Sequence, residues 1–174
     1  MTDMSYPQGW DWVWIATDGD GFVAAFVTAG QAPIPVDALE IQFRDSAHLE
    51  EVVAALPASS DARLFSEAGD RDALVELARR GLFVYDWRDA RRAPRDELGA
   101  YELVAAPTSP SRAATLPPML RVAAMSMRFA GLRFDEAPLV DVHRHARCIA
   151  PRRSTREHAP QARTQETRSL SLFG

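Results

Sequence analysis

The sequence contains no lysine and only one cysteine, and the small number of cysteines limits the covalent cross-links that the protein can form. The lone thiol, Cys148, cannot form an intrachain disulfide, which fits a reducing compartment. All 20 basic residues are arginine, a bias typical of GC-rich coding sequences. No apolar run approaches the length of a membrane span, and the first residues, MTDMSYPQGWDW, lack the basic and apolar regions of a signal peptide. We therefore expect a cytoplasmic protein with no membrane partner.

Signatures of catalysis are also missing. The sequence has no GxSxG, P-loop, GxGxxG or HExxH motif, which favours a protein that is not an enzyme. Three potential zinc ligands, His143, His145 and Cys148, fall close together, but a structural zinc site usually needs four. The DGDG at residues 18–21 would leave both ends of a calcium-binding loop without a suitable side chain, so it predicts a tight turn. No metal and no cofactor are expected.

The net charge of -4 conceals two parts of opposite sign. Residues 1–141 carry 22 acidic residues against 13 arginines, whereas residues 142–174 carry two against seven. Because contact with nucleic-acid phosphates demands clustered positive charge, the acidic part argues against a nucleic-acid partner. Apolar periodicity disappears after residue 143. We therefore predict one domain over residues 1–143 and a basic, disordered tail over residues 144–174.

The clearest structural pattern is an N-terminal β-hairpin. Residues 10–16 (WDWVWIA) and 22–28 (FVAAFVT) are rich in aromatic and β-branched types, and the Asp and Gly residues between them tolerate a tight turn. Neither strand alternates between apolar and polar residues, which predicts that both lie inside a sheet. Trp10, Trp12 and Trp14 project from one face, which is either an aromatic binding platform or, as we favour, part of the core. Trp10 is expected to be the most exposed of the three.

Further elements follow from spacing and end signals. An ordered, proline-rich loop is predicted over residues 28–39. Helices are predicted over residues 46–56 and 70–80 and from near Pro118, with a strand as the alternative for the last. Strands or extended segments are predicted over residues 62–65, 82–87, 101–106 and 132–142, the first two joined by a βαβ crossover. Together these predict a single α+β domain: an antiparallel or mixed sheet with an N-terminal hairpin and two or three packed helices.

Acidic residues concentrate on the first two predicted helices and their approaches. They are Glu40, Asp45, Glu50, Glu51, Asp70, Asp72 and Glu76. Each alone is typical of a solvated helix face. Together they predict an acidic surface suited to a basic partner, because complementary charge speeds association and favours specificity.

Three segments carry a resemblance to a known group of proteins. The run WDWVWIATDGDGFVAAFVTAGQAPIP, with the later GLFVYDWRDA and YELVAAP, resembles a family of small bacterial proteins similar to the immunity proteins encoded beside secreted polymorphic toxins. The resemblance covers about residues 10–140. It implies a stoichiometric inhibitor that covers a toxin's active site or substrate groove. An acidic inhibitor suits a basic target, such as a nuclease domain.

The function predicted is therefore a non-catalytic binding protein, an immunity protein that neutralises a bacterial toxin or effector by direct occlusion. The expected partner is a protein, such as a basic toxin domain encoded nearby. The candidate partner-binding residues, expected at the surface, are Trp10, Asp18, Asp20, Glu50, Glu51, Asp72 and Glu76.

The alternative is a small hydrolase or transferase with a cleft beside the loop at residues 28–35, since ordered loops often carry function. In that case Thr28 and Gly30 would line the cleft, with Asp11 or Asp86 as the acid.

Overall fold

A computed structural model describes residues 6–7, 11–65, 71–87 and 99–150. These ranges contain nine strands, four α-helices and three short 3-10 turns. The strands are β1 (Val13–Asp18), β2 (Val23–Val27), β3 (Ile34–Pro35), β4 (Ala62–Leu64), β5 (Phe83–Trp87), β6 (Tyr101–Pro107), β7 (Arg128–Phe129), β8 (Leu139–Val140) and β9 (Cys148–Ile149). The helices are α1 (Val36–Gln42), α2 (Ser46–Ala54), α3 (Arg71–Arg79) and α4 (Pro118–Ser126). The 3-10 turns are Phe43–Asp45, Ala113–Thr115 and Val142–Arg144.

Seven strands form one mixed sheet in the order β4-β6-β5-β2-β1-β7, with β8 also paired to β6. The pairs β2–β5 and β1–β7 are parallel, and the others are antiparallel. The α+β class, the single domain, the mixed sheet and the N-terminal hairpin are confirmed. Strands β1 and β2 lie inside the sheet, as their lack of alternation predicted.

The hairpin turn explains the DGDG sequence. Asp18 closes it, because its carboxylate accepts hydrogen bonds from the backbone N–H groups of Asp20 and Phe22 at 3.0 and 2.9 Å. Gly21 follows with a φ of 83°, a left-handed conformation that favours glycine. This backbone confirms the tight turn, which the sequence favoured in place of a calcium-binding loop.

Strand β6 separates β4 from β5. Because β6 is antiparallel to both, β4 and β5 run parallel to each other with α3 as the connection between them. The predicted crossover is therefore present, but its two strands are not neighbours. Gly81 ends α3 with a φ of 86°, and a Cβ there would lie 2.1 Å from the Ser111 hydroxyl oxygen.

The two faces of the sheet differ in character. One carries stacked aromatic rings: the ring centroids of Trp14 and Phe26 lie 4.2 Å apart, and those of Phe26 and Tyr85 4.9 Å apart. Helix α1 and residues 127–142 cover this face. The other face packs aliphatic side chains such as Ile15 and Ala25 under α2, α3 and α4.

Trp12 and Trp14 are buried in the aromatic core, so for these two tryptophans the core interpretation is confirmed. Trp10 lies outside the described residues.

Two segments depart from the predicted pattern. Residues 36–39 belong to α1 rather than to an irregular loop, and the helix begins immediately after Pro35, with Asp37 favourably placed in its first turn. Residues 144–150, which the sequence groups with the basic tail, include β9, which pairs with β3. Residues 151–174 lie outside the described ranges.

The later elements match the prediction in part. Pro118 begins α4, so the helix is correct there and the alternative strand is wrong. The extended segment expected over residues 132–142 is a strand only at β8, and mostly turns elsewhere.

Candidate functional site: a groove between two helices

Helices α2 and α3 lie on the same face of the sheet and leave an open channel between them. The buried positions of α2, Leu49 and Val53, recur four residues apart, as do those of α3, Leu74 and Ala78. This spacing turns one stripe of each helix toward the sheet. Above strand β1 the two helices do not meet, and the space is about 320 Å³.

We call this channel the α2–α3 groove. Its lining is apolar along the floor and charged at the rim. The lining residues are Val13, Ile15, Leu49, Glu50, Val53, Ala54, Ala73, Glu76, Leu77 and Arg80.

Arg80 joins the ends of the two helices. Its Nε and Nη2 donate hydrogen bonds to the carbonyl oxygen of Ala54, at 3.2 and 3.0 Å. Its Nη1 donates to the backbone oxygen and the carboxylate of Glu76, both at 2.8 Å. The side chain is only 18% exposed. Its charge therefore meets the negative end of the α2 dipole while its stem closes one end of the groove.

Glu76 carries the clearest electrostatic effect at the groove. Hydrogen bonds from Arg80 and then from Arg79 lower the pKa of its carboxyl, because both guanidinium groups favour the charged form. Glu76 therefore stays ionised, but its charge is shared with two arginines.

The negative charges of the other three acidic candidates on these helices are balanced by fewer basic groups than that of Glu76. Glu50 lines the groove, Glu51 is exposed beside it, and Asp72 lies in the first turn of α3. Glu51 contacts the His48 ring at 3.5 Å. Among the described residues, no arginine lies within ion-pair distance of any of these three carboxylates. The structure thus places two of the seven candidate residues that the sequence singled out, Glu50 and Glu76, in the lining of the groove.

The sequence prediction for Asp18 is wrong. It placed Asp18 at the surface, but the residue is fully buried. Besides the two turn amides, its second carboxylate oxygen accepts a hydrogen bond from the backbone N–H of Phe134 at 3.0 Å. Three amide donors satisfy the buried charge, so Asp18 is a structural residue. Asp20 is exposed and pairs with Arg133 at 3.2 Å, away from the groove. Trp10 lies outside the described residues.

The loop at residues 28–35 packs tightly. The hydroxyl of Thr28 is buried and accepts hydrogen bonds from the backbone N–H groups of Trp12 and Gly30, at 2.9 and 3.4 Å. Asp11 accepts one from Ala29 at 2.9 Å, and Asp86 accepts one from Trp87 at 2.9 Å. The side chains assigned to the alternative catalytic cleft therefore bind backbone amides.

The cysteine and histidine residues near residue 148 are held separately. Burial, and then Asp141, raise the pKa of the Cys148 thiol to about 11, and the thiol donates a hydrogen bond to the Ala146 oxygen. His145 packs edge-on against Phe129. Within the described ranges, no three His, Cys, Asp or Glu side chains come close enough to hold a metal ion.

Sequence reasoning missed the groove itself. Helix spacing predicts a buried stripe on each helix but not the gap between two helices. The signal that could have pointed to it is Arg80, since an arginine in a last turn can also serve the end of a neighbouring helix.

Comparison with known proteins adds no relative. Neither protein-family models, nor curated proteins, nor solved structures gave a match to this chain. No helix in the described part of the chain combines the length and the apolar character needed to cross a membrane.

Proposed function

We propose that this protein is a non-catalytic binding domain whose α2–α3 groove receives a basic, amphipathic segment of a partner protein. The partner is a bacterial toxin or effector, and binding neutralises it by direct occlusion. The observation that carries the proposal is an open apolar floor bordered by carboxylates from two helices.

The groove has the size and lining of a recognition site. Its volume of about 320 Å³ lies at the lower end of the range of ligand pockets. An amphipathic helix can place its apolar side chains in such a channel, with anchors one turn apart. Val13, Ile15 and Leu77 would contact those anchors from below.

The charge around the groove selects for a basic partner. The groove lining contains two carboxylates, Glu50 and Glu76, and one arginine, Arg80, which pairs with Glu76. Glu50, in the lining, and Asp72, exposed in the first turn of α3, have no arginine partner in the described ranges. Lysine or arginine side chains flanking the partner's apolar anchors would pair with them, which raises the association rate at low salt.

Occlusion follows from this geometry when the basic segment belongs to the partner's own substrate site. A nuclease binds phosphates through clustered basic residues. Carboxylates at the rim of the α2–α3 groove would occupy those residues in place of phosphates, and the bound partner could no longer reach its substrate.

The test uses the full chain and the purified product of the gene adjacent to its own, titrated by calorimetry. We expect a one-to-one complex at micromolar or tighter affinity, and protection of cells that express the toxin. Ala54→Arg, which fills the groove, should weaken binding at least about tenfold. Ala55→Arg adds the same charge at the next exposed position, outside the lining, and should bind like the natural chain.

A second pair of variants tests the charge. Glu50→Lys should weaken binding and flatten its salt dependence, whereas Glu40→Lys, exposed on α1 outside the groove, should have the smaller effect. The proposal would be overturned if no heat of binding appeared at micromolar concentrations, or if the Ala54→Arg and Ala55→Arg variants bound the partner with equal affinity.

A further inference from the structure

A second pocket lies at the turn end of the β1–β2 hairpin and shares no residue with the α2–α3 groove. Its volume is about 520 Å³. Three arginines from three different segments line it: Arg112 before a 3-10 turn, Arg121 on α4 and Arg128 on β7. We call it the arginine pocket. The remaining lining is Thr17, Gly19, Asp20, Gly21, Ala113, Ala114 and Met125.

Two of the three guanidinium groups are held in place by the hairpin turn. Arg112 donates a hydrogen bond to the carbonyl oxygen of Asp20 and lies over the Phe22 ring, 4.3 Å from its centroid. Arg128 donates to the carbonyl oxygen of Gly19 at 3.0 Å. Each of these contacts engages only part of a guanidinium, which carries five N–H donors. Both guanidinium groups are therefore anchored and keep N–H donors that these contacts do not use.

Within the described ranges, none of the three arginines of the arginine pocket, Arg112, Arg121 and Arg128, forms an ion pair. Residues 111–128 contain three arginines and no acidic residue. The one carboxylate in the lining, Asp20, already pairs with Arg133 at 3.2 Å. Three arginines that line one pocket repel one another, and a bound anion relieves this repulsion.

The chemistry of the donors indicates which anion fits. We propose that the arginine pocket binds a small phosphomonoester whose organic part is apolar or aromatic. Guanidinium groups match phosphate oxygens with paired hydrogen bonds, and three of them suit a group with three terminal oxygens and two negative charges. Met125, 62% exposed at the edge of the pocket, offers an apolar contact for the rest of the ligand.

The backbone of the turn does not supply these donors. The N–H groups of Gly19, Asp20 and Gly21 are hydrogen bonded to Leu132 and to Asp18. The site therefore differs from a phosphate-binding loop, in which backbone N–H groups hold the anion. Recognition depends on the three side chains, so single substitutions should have large effects.

A small ligand fits better than a nucleic acid. The positive residues form one compact pocket rather than a stripe along which a backbone could run. Helix α4 also packs against α1, in the acidic segment of residues 36–54, and this negative charge would repel a polyanion that extended beyond the pocket.

The experiment titrates the full chain with phenyl phosphate, using benzoate as an aromatic probe with a single charge. We expect saturable one-to-one binding of phenyl phosphate at submillimolar concentration and much weaker binding of benzoate. Arg121→Gln should weaken binding at least about tenfold. Its guanidinium makes no hydrogen bond or ion pair to the described residues, so the melting temperature should stay unchanged.

The matched control is Arg63→Gln, which removes one exposed arginine from β4, outside the pocket. It should leave the affinity unchanged. The proposal is overturned by an absence of saturation at millimolar phenyl phosphate, or by equal losses in the two variants. It is equally overturned if a short single-stranded DNA, compared at equal phosphate concentration, binds more tightly than phenyl phosphate.

Discussion

The side-chain amide of Gln42 pairs with both backbone groups of Ile15. Its Oε1 accepts a hydrogen bond from the Ile15 N–H at 2.9 Å, and its Nε2 donates to the Ile15 oxygen at 2.8 Å. In the part of the chain that the structure describes, the sheet continues beyond β1 only as β7, which pairs with Thr17 and Asp18. Gln42 therefore takes the place of a neighbouring strand at Ile15, and this explains why an amide is fully buried at the end of α1.

Replacing this amide should be costly. Gln42→Leu keeps the size of the side chain but leaves the N–H and the oxygen of Ile15 buried without partners. We expect the free energy of unfolding to fall by about 2–6 kcal/mol, since each of the two unpaired buried groups costs about 1–3 kcal/mol. Urea unfolding measures the change. Gln31→Leu, at an exposed position, is the control and should change stability by less than about 0.5 kcal/mol.

Asp18 gives a second prediction about stability. Asp18→Asn places an NH₂ group opposite one or more of the three amide N–H groups that the carboxylate now accepts. We expect a loss of about 1–3 kcal/mol in urea unfolding. Asp20→Asn removes only an exposed ion pair to Arg133, worth at most about 1 kcal/mol. Equal losses in the two variants would contradict the structural role of Asp18.

The ion pairs of Glu76 predict a pH dependence. Because the folded pKa of Glu76 is lowered, its contribution to stability is present above the unfolded pKa and is lost as the pH falls through the folded pKa. Titration of the Glu76 carboxyl carbon by NMR measures that pKa directly. Arg80→Gln should raise it more than Arg79→Gln does, because the hydrogen bond from Arg80 is the larger cause. The reverse order would contradict the larger effect of the hydrogen bond from Arg80 on the Glu76 carboxyl.

The raised pKa of Cys148 predicts that its thiol reacts slowly with alkylating agents. With a pKa of about 11 against an ordinary 9.0, almost none of the thiol is ionised at neutral pH, and the thiolate is the reactive form. Alkylation by iodoacetamide should therefore be slower in the native protein than in urea. Its rate should rise continuously with pH to about 11. The sequence has one cysteine, so mass spectrometry follows this reaction without interference. A native rate equal to that in urea would contradict the prediction.

Sequence patterns predicted correctly those elements whose conformation depends on residues close together in the chain. The hairpin follows from residues 10–28, and α2 and α3 follow from apolar spacing with Gly81 as the stop. Helix α1 was missed because it has only seven residues and one of its four buried positions is Gln42, a polar residue paired with β1. Seven residues give too few turns for a periodicity to be recognised.

Long-range contacts account for the remaining differences. Asp18 was placed at the surface because aspartate in a turn is usually exposed, yet its third hydrogen bond comes from Phe134, more than 100 residues away. Likewise β9 has two residues in a polar segment, and only its pairing with β3 identifies it. The α2–α3 groove and the arginine pocket both depend on how separate elements pack.

The position of β6 has a consequence for synthesis of the chain. Translation proceeds from the N-terminus, so β4 and β5 leave the ribosome before the strand that separates them. Until Tyr101–Pro107 inserts, one edge of β5 has no partner from this chain, and its unpaired N–H and C=O groups can accept a strand from another molecule. The β4 side of the sheet therefore cannot form before β6 has been made, and a nascent chain halted before Tyr101 keeps the open edge of β5 and is prone to aggregate.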